Sequence, residues 1–214
     1  MSPPAHGSPA VAGIGLRARK GGAVVVCVAV AAGVPRVVLS TVLDTSVDGD
    51  RLSLEPYRVA AEMARSAQNE ATAAAAASVA EGRRRQQRLA VTGLRGIVDQ
   101  LEAAQCKPVV AALLVNRAGW VTDLLGYSLA WPEHVPVAEA LAVREALRFA
   151  ALQCGIELAE RDEKSLPDLA TEALGLPSSE LDARLKVLGA PVGKPWRREQ
   201  KLACLAAWIA VATH

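Results

Sequence analysis

Residues 10–33 read AVAGIGLRARKGGAVVVCVAVAAG, and the reading of this stretch decides the fold. Arg17, Arg19 and Lys20 stand ahead of an uncharged run, residues 22–32, which is how a secretory leader begins. The same letters also make two strands, residues 11–16 and the Val-rich run, joined by a turn at RKGG. A leader would be long and would leave residues 11–16 without a role, and the valine density favours strand over helix. Pro35 and Arg36 stop the run well short of the roughly 20 apolar residues that a membrane-spanning helix needs. Beyond it, AAGVPR is a second turn signal and RVVLSTVLDT, residues 36–45, a third β-rich run. Three runs with short turns predict an antiparallel meander that is retained in the mature protein.

Working outward, the composition predicts one domain over residues 10–214 behind a disordered segment at residues 1–9. The chain has 214 residues, 51% of them hydrophobic but only 3% aromatic, so its core must rest on Ala, Val and Leu and on close helix approach. A net charge of +2, from 24 basic and 22 acidic side chains, gives no global case for a polyanionic partner. Cys27, Cys106, Cys154 and Cys204 lie far apart among apolar residues, without metal-ligand spacing. They read as buried free thiols in a reducing, cytoplasmic setting.

After the meander the pattern turns helical. SVDGDRLSLEPYR is a polar connection, and residues 59–80, including ATAAAAASVA, have high helix propensity. Gly82 predicts a break. From Arg83 a second helix places Leu94, Ile97, Val98 and Leu101 on one face. KPVVAALLVNRAG holds a buried strand at residues 108–116, followed by a long loop through WVTDLLGYSLAWPEHVP. A helix over residues 137–154, with Ala140, Val143, Leu147, Ala150, Ala151 and Cys154 on its apolar face, a strand at IELAER and two short helices at SLPDLATEALGL and SSELDARLKVLG come next. The second of these has Ser178 or Ser179 as N-cap and Leu181, Leu185 and Leu188 facing inward. The chain closes on a helix within KPWRREQKLACLAAWIAVATH, with Leu202, Leu205 and Ile209 on its buried side.

Three strands, helix, strand, helix, strand, helix is the order of ribonuclease H-like domains. Within that order GIGLR, residues 13–17, resembles the opening Gly-Ile-Asp-Pro-Gly motif of RuvC-like Holliday-junction resolvases. The tail is similar too, with SSELDARLKVLG, a Gly/Pro linker and an Ala/Leu-rich final helix in matching places. The resemblance covers the chain from about residue 10 and makes the Ala-rich segment within residues 59–80 an insertion. It implies an α/β, ribonuclease H-like fold: a mixed five-stranded sheet, the three-strand meander plus two more strands, with helices on both faces.

The resemblance further implies two metal ions held by four carboxylates, because hard divalent cations take oxygen ligands and must neutralise both the attacking and the leaving oxygen. This sequence departs at each place. Gly15 stands where the first acid belongs, Asn116 ends the fourth strand, and LACLA puts Cys204 and apolar neighbours where the final helix should carry its acids. Glu199 is that helix's one carboxylate. The expectation is a degenerate centre with no catalytic residue, metal or cofactor. Mg²⁺ or Mn²⁺ enters only if Asp44, Asp123 and Glu199 form a rearranged acid set. Glu133 with His134 could make an acid–base pair, Ser40 and Ser128 lack a nucleophile elbow, and GIGLRARKGG lacks the spacing of a phosphate loop.

Two basic clusters remain as candidates for nucleic-acid contact. Arg83, Arg84, Arg85 and Arg88 lie together in GRRRQQR, expected at a helix N-terminus where they oppose the dipole and so favour an anionic partner. Lys194, Arg197, Arg198 and Lys201 surround Trp196 in GKPWRREQK, suited to phosphates and a stacked base. The sequence therefore predicts a non-catalytic RuvC-like protein that binds DNA or RNA or serves as an assembly subunit, with no membrane partner. The alternatives are an active metal-dependent nuclease and a structural protein that pairs with a copy of itself, or with a partner, through the Ala-rich helix.

Overall fold

The computed structural model describes residues 9–66, 71–116 and 122–214. Residues 1–8 of the expected disordered start and part of the Ala-rich segment and the long loop lie outside them. Strands β1 (Ala10–Arg19), β2 (Gly22–Ala31) and β3 (Val34–Asp44) form the meander. Helices α1 (Arg51–Leu54), α2 (Pro56–Ser66) and α3 (Ala71–Ala103) lead to β4 (Cys106–Val115). Then come α4 (Leu124–Ala130), α5 (Val135–Gln153), β5 (Glu157–Asp162), α6 (Leu166–Leu174), α7 (Ser178–Gly189) and α8 (Arg198–Ala212).

The five strands make one sheet in the order β3-β2-β1-β4-β5. β1 runs antiparallel to β2, with Ile14 opposite Cys27, and parallel to β4, with Gly15 opposite Ala112. The turn between β1 and β2 places Gly21 at φ +74°, which glycine adopts without steric cost. Alternation along each strand sends side chains to two cores. Ile14, Leu16, Val25, Cys27 and Leu113 face α3 and α5, where Leu94, Ile97, Leu101 and Leu147 close the layer. Val24, Val26, Val28, Ala112 and Leu114 face α6, α7 and α8. β2, covered on both sides, is buried through Ala29, so its unbroken apolar run is that of an interior strand. Tyr57, Ala75, Val79, Leu124 and Leu141 form a third cluster among α2, α3, α4 and α5. Among the described residues no helix is long and apolar enough to cross a membrane.

Several local expectations are corrected. Gly82 does not break a helix: α3 runs for 33 residues through it. A Cβ there would lie 2.4 Å from the Leu52 carbonyl oxygen and 2.5 Å from Pro56 Cβ, so the glycine serves the close seating of the preceding segment on α3. The long loop contains the seven-residue α4, begun by Asp123, whose Oδ1 accepts from the Gly126 amide at 2.9 Å. Ser178 and Ser179 are the first helical residues of α7; extended Pro177 occupies the cap position, with no side-chain cap bond. Ala140, expected on the buried face of α5, is exposed. α8 has no single buried stripe, being buried from Ala203 to Val211, because sheet and helices α6 and α7 enclose it together.

Candidate nucleic-acid interface

Gly13, Gly15 and Arg17 occupy alternate positions of β1, on the face opposite Ile14 and Leu16. There α8 lies against the strand at backbone distance. A Cβ on Gly15 would stand 1.8 Å from the Ala203 carbonyl oxygen, and one on Gly13 2.4 Å from that of Ala207. Small residues on both sides, glycine on the strand and alanine on the helix, permit this approach and leave no space between them for a side chain. Cys204, next in the helix, is buried, and desolvation pushes its thiol up to about 12, so it is a neutral packing group.

Beyond the seam, at the C-terminal edge of the parallel strands, Asn116 follows β4 and its Oδ1 accepts from Arg144 Nη1 at 2.6 Å. Glu199 lies half-buried in the first turn of α8. Arg17 Nε donates to Glu163 Oε2 at 3.1 Å, and Arg198 Nη2 reaches Glu163 Oε1 at 3.5 Å, so two guanidinium groups share one carboxylate. Sequence reasoning passed over this pair. The period of two from Gly15 was the available signal for Arg17; nothing in the local sequence marks Glu163.

The substitute acids are engaged separately. Asp44 pairs with Arg19 at 3.1 Å at the end of β3, and Asp123 caps α4. Among the described residues no group of three or more His, Cys, Asp or Glu side chains is arranged to hold a metal ion. His134 stacks on Tyr127 with ring centroids 5.3 Å apart, and Ser128 donates to the Leu124 carbonyl at 2.7 Å inside α4.

No protein-family profile and no curated protein matches the chain. Among solved structures it is similar to RuvC of Thermus thermophilus, at 12% identity over 94% of each chain and a TM-score of 0.50. It is also similar to T. thermophilus RuvC in complex with a Holliday junction substrate, at 12% identity over 94% of this chain and 93% of that one, with a TM-score of 0.47. The fold is the ribonuclease H-like fold of RuvC. At the positions where the sequence resemblance would put metal ligands, Gly15 has no ligand atom, Asn116 has its oxygen on Arg144, and Cys204 is buried and neutral.

The two basic clusters have different surroundings. Arg83–Arg88 does not begin a helix. It lies in the middle of α3, beyond the reach of the N-terminal dipole, so the arginines do not oppose that dipole as expected. Arg83 pairs with Glu145 of α5. Arg84 and Arg85 reach Glu81 at 3.0 and 2.9 Å, Arg85 also reaches Asp50 at 3.1 Å, and Arg88 lies 4.0 Å from Glu81. Hydrogen bonds from Arg85 and then Arg84 hold the Glu81 carboxyl below the usual range. Near α8, Lys201 bonds Asp182 at 2.6 Å and Arg198 shares Glu163. Lys194 and Arg197 are exposed and have no carboxylate within ion-pair distance among the described residues. Trp196 is half-buried, and its indole N–H donates to the Leu185 carbonyl at 3.0 Å.

Proposed function

We propose that this chain is a non-catalytic protein on a RuvC fold, working in the cytoplasm as a nucleic-acid-binding or assembly subunit. The observation that supports the reading is the close approach of Gly15 to the Ala203 carbonyl, which leaves no space for the acid that the resemblance would put at this position. The nine basic and aromatic residues from Arg83 to Lys201 named above are its candidate nucleic-acid contacts. Lys194 and Arg197 carry most weight among them, since their charge is not spent on a neighbouring carboxylate. The purified protein is expected to leave four-way junctions, flaps and RNA–DNA hybrids uncut with Mg²⁺ or Mn²⁺. Metal-dependent cutting lost in Glu199→Gln would instead establish the rearranged nuclease with Asp44, Asp123 and Glu199.

A second reading keeps the fold and replaces nucleic acid by a protein partner or a second copy. It is favoured by Ala73, Ala74, Ala76 and Ala77 at the start of α3, which are exposed and small enough to let another helix approach closely. Sedimentation at rising concentration separates the two readings: a dimer that is lost in Ala76→Glu supports the second.

A further inference from the structure

Between the end of α7 and the start of α8 lies an open cleft of about 610 Å³, lined by Lys186, Gly189, Lys194, Pro195, Trp196 and Arg197 among others. That volume is within the range of roughly 300–1,000 Å³ typical of small-molecule sites. Its aromatic wall is fixed in place. A Cβ on Gly189 would fall 2.0 Å from Trp196 Cε2 and 2.3 Å from Cδ2 and Nε1, so the fused bond of the indole lies over the helix backbone where the side chain is missing. The N–H is held by the Leu185 carbonyl. A ring held at both points is ordered before any ligand arrives, and stacking on it costs little further side-chain entropy. Around it stand three cations, Lys186, Lys194 and Arg197, for which no acid lies within ion-pair distance among the described residues. Their neighbours Arg198 and Lys201 are paired and Lys186 acts on Asp182 one turn before it, so the free charge at the cleft is that of Lys194 and Arg197.

We propose that this cleft binds one nucleotide unit, its base against Trp196 and its phosphate among Lys186, Lys194 and Arg197. A flat aromatic surface beside clustered ammonium and guanidinium groups matches a base that is free to leave its stack together with the phosphate attached to it, and a paired base inside a duplex offers no such face. The inference rests on the nucleic-acid reading when the unit belongs to a strand, and stands apart from it when the unit is a free nucleotide.

The test titrates the full chain at low salt with a labelled oligothymidylate, the same strand made abasic, a duplex of equal length, and free thymidine monophosphate as competitor. The intact strand is expected to bind about tenfold more tightly than the abasic one, the scale of one stacked base. Lys194→Glu with Arg197→Glu should weaken it by at least as much, with little change in the melting temperature, since both side chains are exposed and free of acids among the described residues. Competition by free monophosphate at the concentration that saturates the strand assigns the site to a free nucleotide; competition only at much higher concentration assigns it to a strand. Equal binding of intact and abasic strands overturns the proposal, leaving a phosphate-only patch. Strand binding that survives the double charge reversal overturns it while the nucleic-acid reading stands. If no nucleic acid binds but the monophosphate does, the nucleic-acid reading fails and the cleft remains. Binding of neither removes both.

Discussion

Helices α3 and α8 are both rich in alanine, and each carries a basic segment within it or at its start, yet they dispose of these residues in opposite ways. α3 leaves alanines such as Ala73 and Ala77 in solvent and consumes Arg83, Arg84 and Arg85 in pairs with Asp50, Glu81 and Glu145. α8 buries its alanines from Ala203 to Ala210 and leaves Lys194 and Arg197, just ahead of it, without acids among the described residues. The difference comes from what each helix meets. Alanine is buried where the facing strand carries Gly13 and Gly15, and a cation is neutralised where the fold brings acids from distant segments beside it. Composition alone therefore does not say which alanines are core or which charges are available.

The contrast breaks most severely at the α8 seam. Gly15→Asp, which would put an acid on β1, is expected to destabilise the fold by upwards of about 3 kcal/mol, because the new side chain meets helix backbone and buries a charge. Urea denaturation measures the loss. A variant as stable as the parent that cuts a junction with Mn²⁺ would show that the seam opens and that helix and strand are not locked together.

A smaller effect tests the α3 side, where not every acid is neutralised by arginine. Glu139 of α5 is buried, and its Oε1 accepts from the amides of Tyr57 and Arg58 at 2.9 Å each, serving the first turn of α2. Desolvation pushes it up to about 7 against the pull of those two amides. With a folded value above its unfolded value of 4.5, its favourable contribution is complete below pH 4.5 and is lost as pH rises through about 7. The loss amounts to at most about 3 kcal/mol. Glu139→Gln should flatten the stability profile between these limits, as thermal melts across that range would record. An unchanged profile would mean that the backbone bonds keep the carboxylate ionised throughout.

The meander and its turns were legible because β-rich runs and Gly/Pro turns are local signals, whereas the helices on both faces of the sheet followed only from the resemblance. The extent of α3 was not legible, because Gly82 reads as a breaker until Leu52 and Pro56 are seen to need the space above it. Nor was the fate of the arginines. Glu145 is 62 residues from Arg83 and Asp50 is 35 from Arg85, separations that only the folded chain closes. Trp196 was visible as an aromatic among cations, but Gly189, which fixes its position, was not distinguishable from any other glycine at a helix end.

The smallest expected effect is the one that decides whether the two basic segments truly differ. If Arg84 and Arg85 are already neutralised by Glu81 and Asp50, reversing their charge removes no free cation from the binding surface. On duplex DNA each phosphate contact contributes about −0.9 to the slope of log affinity against log salt. Arg84→Glu with Arg85→Glu should therefore leave that slope unchanged to within one contact, whereas reversal at Lys194 and Arg197 should flatten it by about two contacts. The melting temperature should move little in either case, since exposed charges, paired or not, add little to stability. A slope that falls equally for both double variants would mean that the α3 arginines exchange their carboxylates for phosphates on binding, and the internal pairs of α3 would then mark a reserve of charge released by nucleic acid.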